Sequence, residues 1–327
     1  MDELPLAPRA IHDGTVTHAG RFLGAIAQPN LSGPLTPWCL KQWSYVSVTT
    51  DTHFLAFALV QLGYVANLFC YLVDRRSRAM WQVEAMAPLG IGLTIADSSV
   101  DGATVWRRGS QELRLDAIAR GWRATFALTI QGKSLQGTAE IERGEGLAVV
   151  HPVGPRRWAY THKEAAMLAD LDLKWDGQPL PKRGLAALDW TRAAYPRHTL
   201  WNWASFSTRL RDGRRLGLNL SAHVLDNADG VSQENALWVD GRLHLLGAAT
   251  FSLPASPAAE VWHLRGDDVN LAFTPLGARQ QDVNLGVVRS RFVQPFGHFA
   301  GHLRLPDGDE VALAPSFGVV EDHLAVW

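Results

Sequence analysis

Turn chemistry constrains this chain more than any other feature. Asp-Gly occurs at 101–102, 176–177, 212–213, 240–241 and 307–308, with Gly-Lys-Ser at 132–134. A two-residue turn that reverses a strand needs positive φ, which glycine adopts at no steric cost and Asp tolerates. The flanking runs are short and alternate apolar with polar residues, as in WRATFALTIQGKSLQGTAEIE (122–142) and FSTRLRDGRRLGLNL (206–220). Such spacing leaves no room for crossover helices, so it predicts antiparallel hairpins rather than parallel βαβ units. In the first half, KQWSYVSVTTDTHFLAFALVQLGYVANLFCYLVD (41–74) reads as two adjacent strands, the second ending at Asp74. THKEAAMLADLDL (161–173) is the one helical candidate. The expected class is mostly β, with little helix.

A single core stops growing near about 250–300 residues, and 327 residues therefore point to two. Prolines 152, 155, 181 and 196 concentrate in 151–200, and hairpin-like runs resume after them. This places the boundary between 155 and 156, with one antiparallel β domain over 1–155 and a second over 156–327. Each half pairs an early Trp-bearing strand with Gly-turned hairpins, a weak sign of duplication.

Lys and Arg total 31 against 32 Asp and Glu, a balance that gives no overall field for nucleic acid or an anionic surface. The start, MDELPLAPRA, has acids where a secretory leader carries basic residues. No later run approaches the roughly 18 apolar residues of a membrane span, the longest being broken at Gln61, Asn67 and Asp74. A soluble, cytoplasmic protein without an integral membrane segment is expected. Cys39 and Cys70 lack CxxC spacing and read as small buried hydrophobes. GxSxG, Walker, GxGxxG and HExxH motifs are missing, so neither a nucleotide nor a metal cofactor is expected. His298 and His302 stand four apart but among Pro295 and glycines, where no helix would aim both at one ion. Thirteen Trp beside 5 Tyr and 4 Met suit thick β cores or an aromatic-lined cavity, and composition leaves both open.

Several positions carry candidate chemistry. In a strand, Trp201 and Trp203 share a face opposite Asn202, forming an aromatic wall for a flat or polyene ligand or a plug for a barrel end, with His198 just upstream. Glu234 and Asn235 follow the loop DNADGVSQ, where an acid beside an amide can protonate a substrate and orient a water. The alternative is a loop-closing Glu paired with an arginine. Asn219, disfavoured in the strand LGLNLSA, shares a face with His223 four residues on if the strand continues. In Glu321-Asp322-His323 at most two of the three side chains can share a site, and Asp322 is a further carboxylate candidate. In the first half Trp43 and Tyr45 alternate onto one face with Lys41, Asp51 and His53 follow at the next bend, and Tyr64 and Asn67 lie within the second apolar run. Thr161 and Lys163 are weaker neighbours, Lys163 being solvated by default.

The strings YPRHTLWNWASFS (195–207), RRLGLNLSA (214–222), ENALWVDGRLHLLG (234–247), RFVQPFGHFAG (291–301) and FGVVEDHLAVW (317–327), with KQWSYVSV (41–48), resemble domain of unknown function family 2804 over nearly the whole chain. That family is in turn similar in layout to the carotenoid 1,2-hydratase and AttH-like superfamily. The resemblance implies two consecutive lipocalin-like β-barrel or sandwich domains that hold an apolar ligand. The expected function is an enzyme that needs no metal or nucleotide and acts on a hydrophobic, isoprenoid- or lipid-like substrate. Its reaction is proton transfer to, or hydration of, a C=C bond, as in a hydro-lyase or isomerase. Glu234 would supply the acid, Trp201 and Trp203 the aromatic faces and Asn235 the water. A carrier with the same pocket and no acid is the second reading, and an assembly role resting on exposed apolar edge strands the third. The first two differ in whether a carboxylate lies within reach of the tryptophan pair. Substrate identity and oligomeric state are open at this level.

Overall fold

The computed structural model describes residues 4–31, 36, 38–284, 286 and 288–327. Among them there is no helix, so none is long and apolar enough to cross a membrane. The chain divides into two compact units, Met1–Tyr195 and Pro196–Trp327.

The first unit is built on one curled antiparallel sheet. Lys41–Thr49, His53–Gln61, Val65–Asp74 and Met80–Pro88 form one meander, and Ala103–Arg108, Gln111–Ile118, Gly121–Ile130 and Lys133–Glu142 a second. Arg157–Trp175 and Arg183–Ala193 join them at the centre, pairing with Lys133–Glu142 and Lys41–Thr49 respectively. The helical candidate 161–173 therefore lies inside a 19-residue strand. From Met167 to Trp175 buried and exposed residues alternate strictly, and that two-residue period outweighs the helix propensity of the alanines. The Ala-Ala pair instead makes a bulge, with Ala166 at φ 54° and the register shifting between Glu164 and Met167.

The same strands move the boundary from 155/156 to 195/196. Pro152 is held within Leu147–Gly154, paired with Trp158, and Pro181 lies between strands of the first sheet. Only Pro196 of the four sits at the crossing between units.

The turns match their chemistry. Gln131-Gly132, Asp176-Gly177 and Asp240-Gly241 each carry two successive positive φ values and join strands directly.

In the second unit nine antiparallel strands run in the order Arg242–Leu245, Ala236–Val239, Arg215–Ala222, His198–Arg209, Glu310–Val326, Arg289–Arg304, Val269–Asn284, Trp262–Gly266 and Ala249–Ser252. One face builds a core of Phe206, Leu218, Leu220, Trp262, Phe273, Phe299 and Val320. The first unit's core takes in Trp106, Trp122, Trp175 and Trp190. Much of the Trp excess is thus core filling.

Gly137 has φ 121°, and a Cβ there would overlap the Asp172 carbonyl of the neighbouring strand, whereas one at Gly132 would meet open space. Gly137→Ala should cost about 2–4 kcal/mol in denaturant unfolding, and Gly132→Ala only about 1 kcal/mol, from its φ alone.

Candidate functional site

Three neighbouring strands of the second unit carry the residues with chemistry. Trp203 lies opposite Ser221 on one side and Glu321 on the other, and Trp201 lies opposite His323. Directly opposed residues share a face, so Trp201, Trp203, Ser221, Glu321 and His323 form one row. Asn202 and Asp322 face the other way and bond to each other, Nδ2 to Oδ1 at 3.0 Å.

One end of the row is a buried polar network. The Trp203 indole N–H donates to Asn219 Oδ1 at 2.8 Å, and the Asn219 amide donates to the Glu234 carbonyl at 2.9 Å. Ser221 gives its backbone N–H to Asn235 Oδ1 and its hydroxyl to Glu234 Oε2 at 3.0 Å, and lies 2.6 Å from the Ser232 hydroxyl. Asn235 also donates to the Gly247 carbonyl. Glu234 and Asn235 are buried. The loop before them is held by Asn227, whose Oδ1 caps the N–H groups of Asp229 and Val231, and by the Gln233 N–H on the Leu225 carbonyl. Trp203, Asn219, Glu234 and Asn235, selected separately from the sequence, are thus one network. Its bonds divide between backbone and side-chain partners, and they join the loop to the strand.

The other end presents a carboxylate and an imidazole to an aromatic ring. Trp201 Nε1–H donates to Glu321 Oε1 at 2.8 Å, and Gln294 Nε2 donates to Oε2 at 2.7 Å. Both oxygens accept, so this carboxylate is arranged to receive or balance positive charge. His323 Nδ1 stands 3.6 Å from Glu321 Oε1, and its Nε2 is 2.9 Å from the Ser290 hydroxyl. The imidazole lies 4.1 Å from the Trp201 ring and 5.3 Å from Phe292, centroid to centroid, and Trp327 stacks on Trp201. Glu321 and Gln294 are buried. Alternation separates Glu321 and His323 from Asp322; it does not say which face meets the tryptophans, and Gln294 comes from a strand without any local signal.

The first unit has two clusters on opposite faces of Arg157–Trp175. On one, Lys163 Nζ pairs with Asp189 Oδ2 at 2.6 Å, while Trp43 Nε1–H and the Thr191 hydroxyl donate to Asp189 Oδ1, each at 3.2 Å. Tyr45 lies opposite Asp189 in the register, and Trp43 stacks on Tyr195. Lys163 is buried rather than solvated, and Asp189 carried no motif to mark it. On the other face, His162 Nδ1 is 3.0 Å from the Ser99 hydroxyl and its Nε2 3.1 Å from Glu164 Oε1, while Glu164 Oε2 accepts from the Gly144 N–H. Tyr160 accepts the Ile26 N–H, and burial raises its phenol above the ordinary range. Sequence reasoning missed this cluster because a helical reading scatters 160, 162 and 164, whereas a strand aligns them.

The remaining candidates fall elsewhere. Asp51 is exposed in the turn between Lys41–Thr49 and His53–Gln61, and His198 is exposed at a strand start. His223 lies past the end of Arg215–Ala222 with φ 80°, out of the strand that carries Asn219, and its N–H donates to Asp226 Oδ2. Tyr64 precedes Val65–Asp74 instead of lying within it and stacks on Trp38. Among the described residues no group of three His, Cys, Asp or Glu is placed to hold a metal ion.

Asn219→Leu would leave the Trp203 N–H and the Glu234 carbonyl without their shared partner in a buried setting. At about 1–3 kcal/mol per group, denaturant unfolding should show a loss of roughly 2–6 kcal/mol, while Asp51→Ala and His198→Ala stay within about 0.5 kcal/mol of the parent.

Comparison with solved structures gives likeness of fold. A protein provisionally named AttH, from Nitrosomonas europaea, is 14% identical, the match covering 89% of this chain and 94% of that one with a TM-score of 0.53. CghA is 11% identical over 98% of this chain and 97% of its own, with a TM-score of 0.54. Kievitone hydratase from Nectria haematococca, 10% identical over 88% of each chain, has a TM-score of 0.37 and bears no argument. No curated protein matches the sequence. The family match runs over residues 8–327, and on it the chain belongs to the family described as Domain of unknown function (DUF2804).

Proposed function

We propose that this protein is an enzyme that moves a proton onto a C=C bond of a hydrophobic, isoprenoid- or lipid-like substrate with its own side chains, without metal or nucleotide. The observation that carries the reading is the row Trp201, Glu321, His323, in which an imidazole packs on an indole ring whose N–H is held by the neighbouring carboxylate. In this proposal the reacting group is His323 rather than Glu234, whose Oε2 accepts from the Ser221 hydroxyl.

In this reading His323, as imidazolium, gives its N–H proton to one alkene carbon, and the C=C electron pair forms the new C–H bond. The other carbon becomes electron-deficient, with the Trp201 π face and the Glu321 carboxylate to stabilise it. Water then adds there and returns a proton to the imidazole, so the balance is alkene plus water to alcohol. Loss of a proton from the adjacent carbon instead gives an isomerised alkene. Phe292 supplies apolar surface beside the imidazole, and Trp327 beside the Trp201 ring.

The test is incubation with an isoprenoid alcohol and with an unsaturated fatty acid in heavy water, with mass spectrometry for deuterium gain and for added water. His323→Gln and Glu321→Gln should each slow product formation by about 10²–10⁴-fold while ligand quenching of Trp fluorescence persists. Glu234→Gln should lower Tm and keep the rate. Binding without deuterium gain would assign the protein to the carrier reading, and loss of turnover in Glu234→Gln alone would return the acid to that residue.

A further inference from the structure

At one end of the first sheet several large apolar side chains face water together. Trp38 is 60% exposed, Met86 50%, Leu89 69% and Ile91 63%. Contacts tie three of them into one surface: Trp38 stacks on Tyr64 with ring centroids 6.3 Å apart, and the Leu89 N–H donates to the Tyr64 carbonyl. The Ile91 N–H returns to the Pro88 carbonyl and closes a tight turn in which Leu89 has φ 53° and Gly90 φ 78°. Asn-Gly is the ordinary choice for such a turn. Leucine here accepts a backbone region that L-residues avoid and also leaves its side chain in water. Lys41 steadies the base, donating to the carbonyls of Trp38 and Leu62 and lying over the Tyr64 ring.

Two exposed arginines flank the turn. The Arg107 N–H donates to the Gly92 carbonyl, and Arg108 Nη1 donates to the Met86 carbonyl. Arg107 shares its charge with Glu112 at 2.6 Å, and among the described residues Arg108, bonded to the Met86 carbonyl, has no carboxylate within ion-pair distance. The net charge of −1 averages over this arrangement and hides it.

From this placement we infer that the 88–91 turn, with Trp38 and Met86, is a docking surface for an anionic lipid bilayer. Leucine and isoleucine at a turn tip can enter the acyl boundary, Trp38 and Tyr64 are amphipathic rings of the kind that sit at headgroup level, and Arg107 and Arg108 lie where phosphates would be. Leu89 and Ile91 project from the turn beyond Met80–Pro88, the end strand of the sheet order, which carries Met86. The inference is independent of the reaction at His323, because binding is read without turnover.

The experiment is sedimentation of the full chain with vesicles of phosphatidylcholine alone and of phosphatidylcholine with phosphatidylglycerol. Binding should favour the anionic vesicles. The double variant Leu89→Asp, Ile91→Asp should lower the bound fraction about tenfold at an unchanged Tm, since both side chains are already in water. Arg107→Glu with Arg108→Glu should remove the preference for phosphatidylglycerol. Failure of the parent to sediment with either vesicle, or equal sedimentation of the Leu89, Ile91 variant, would overturn the inference. So would a concentration-dependent dimer that the Leu89, Ile91 variant abolishes, which would make the occupant a second copy of this chain.

Discussion

Strands buried on both faces govern this structure. A sheet with one wet face can turn its polar residues outward, but Arg157–Trp175 has no such outlet through its first half: Tyr160, His162 and Glu164 on one face and Thr161 and Lys163 on the other are all buried. Each polar group so placed must find a partner or lose its hydration uncompensated. Lys163 meets Asp189, Glu164 meets the Gly144 N–H, and His162 meets Ser99. These matches act more on register than on net stability, because a buried ion pair gives back in attraction about what it costs in desolvation. A slip by one residue would exchange the Lys163 and His162 faces and break every one of them.

The same condition holds in the second unit, where Ser205 and Ser207 lie on the Trp203 side of their strand and Ala204 and Phe206 on the core side, all buried. There it collects Asn219, Ser221, Glu234 and Glu321 around the tryptophans. What looks like a reactive cluster and what looks like a structural clamp are consequences of one rule. The Glu234 carboxylate takes the Ser221 hydroxyl, and the Glu321 carboxylate takes an indole N–H and a Gln294 amide, so both are built by the same demand for partners.

What was legible in the sequence is local. Asp176-Gly177 and Asp240-Gly241 declare their turns because only a few residues accept positive φ, and Trp201 and Trp203 share a face because a strand leaves no alternative. The long central strand was not legible, since the bulge at Ala166 resets its alternation and the alanines imitate a helix. Nor was it legible which carboxylate meets the tryptophan. Glu321 and Asp322 are chemically similar neighbours, and only pairing with a strand 120 residues away in sequence decides which meets Trp201. Asp189 and Gln294 were invisible for the same reason, as each takes its meaning from partners on other strands.

That pairing has a further consequence. In the second unit the first strand, His198–Arg209, lies beside the last, Glu310–Val326, at the middle of the sheet. Such an order has high contact order and a long loop to close before its central ladder forms, which makes folding slow compared with a simple meander. During synthesis His198–Arg209 leaves the ribosome long before its partner, so until Glu310–Val326 arrives one side of it is an unpaired, apolar edge. The chain therefore assembles its Glu321–His323 row only in the closing step of folding, and a ribosome-stalled or C-terminally shortened product would be both without that row and prone to aggregate.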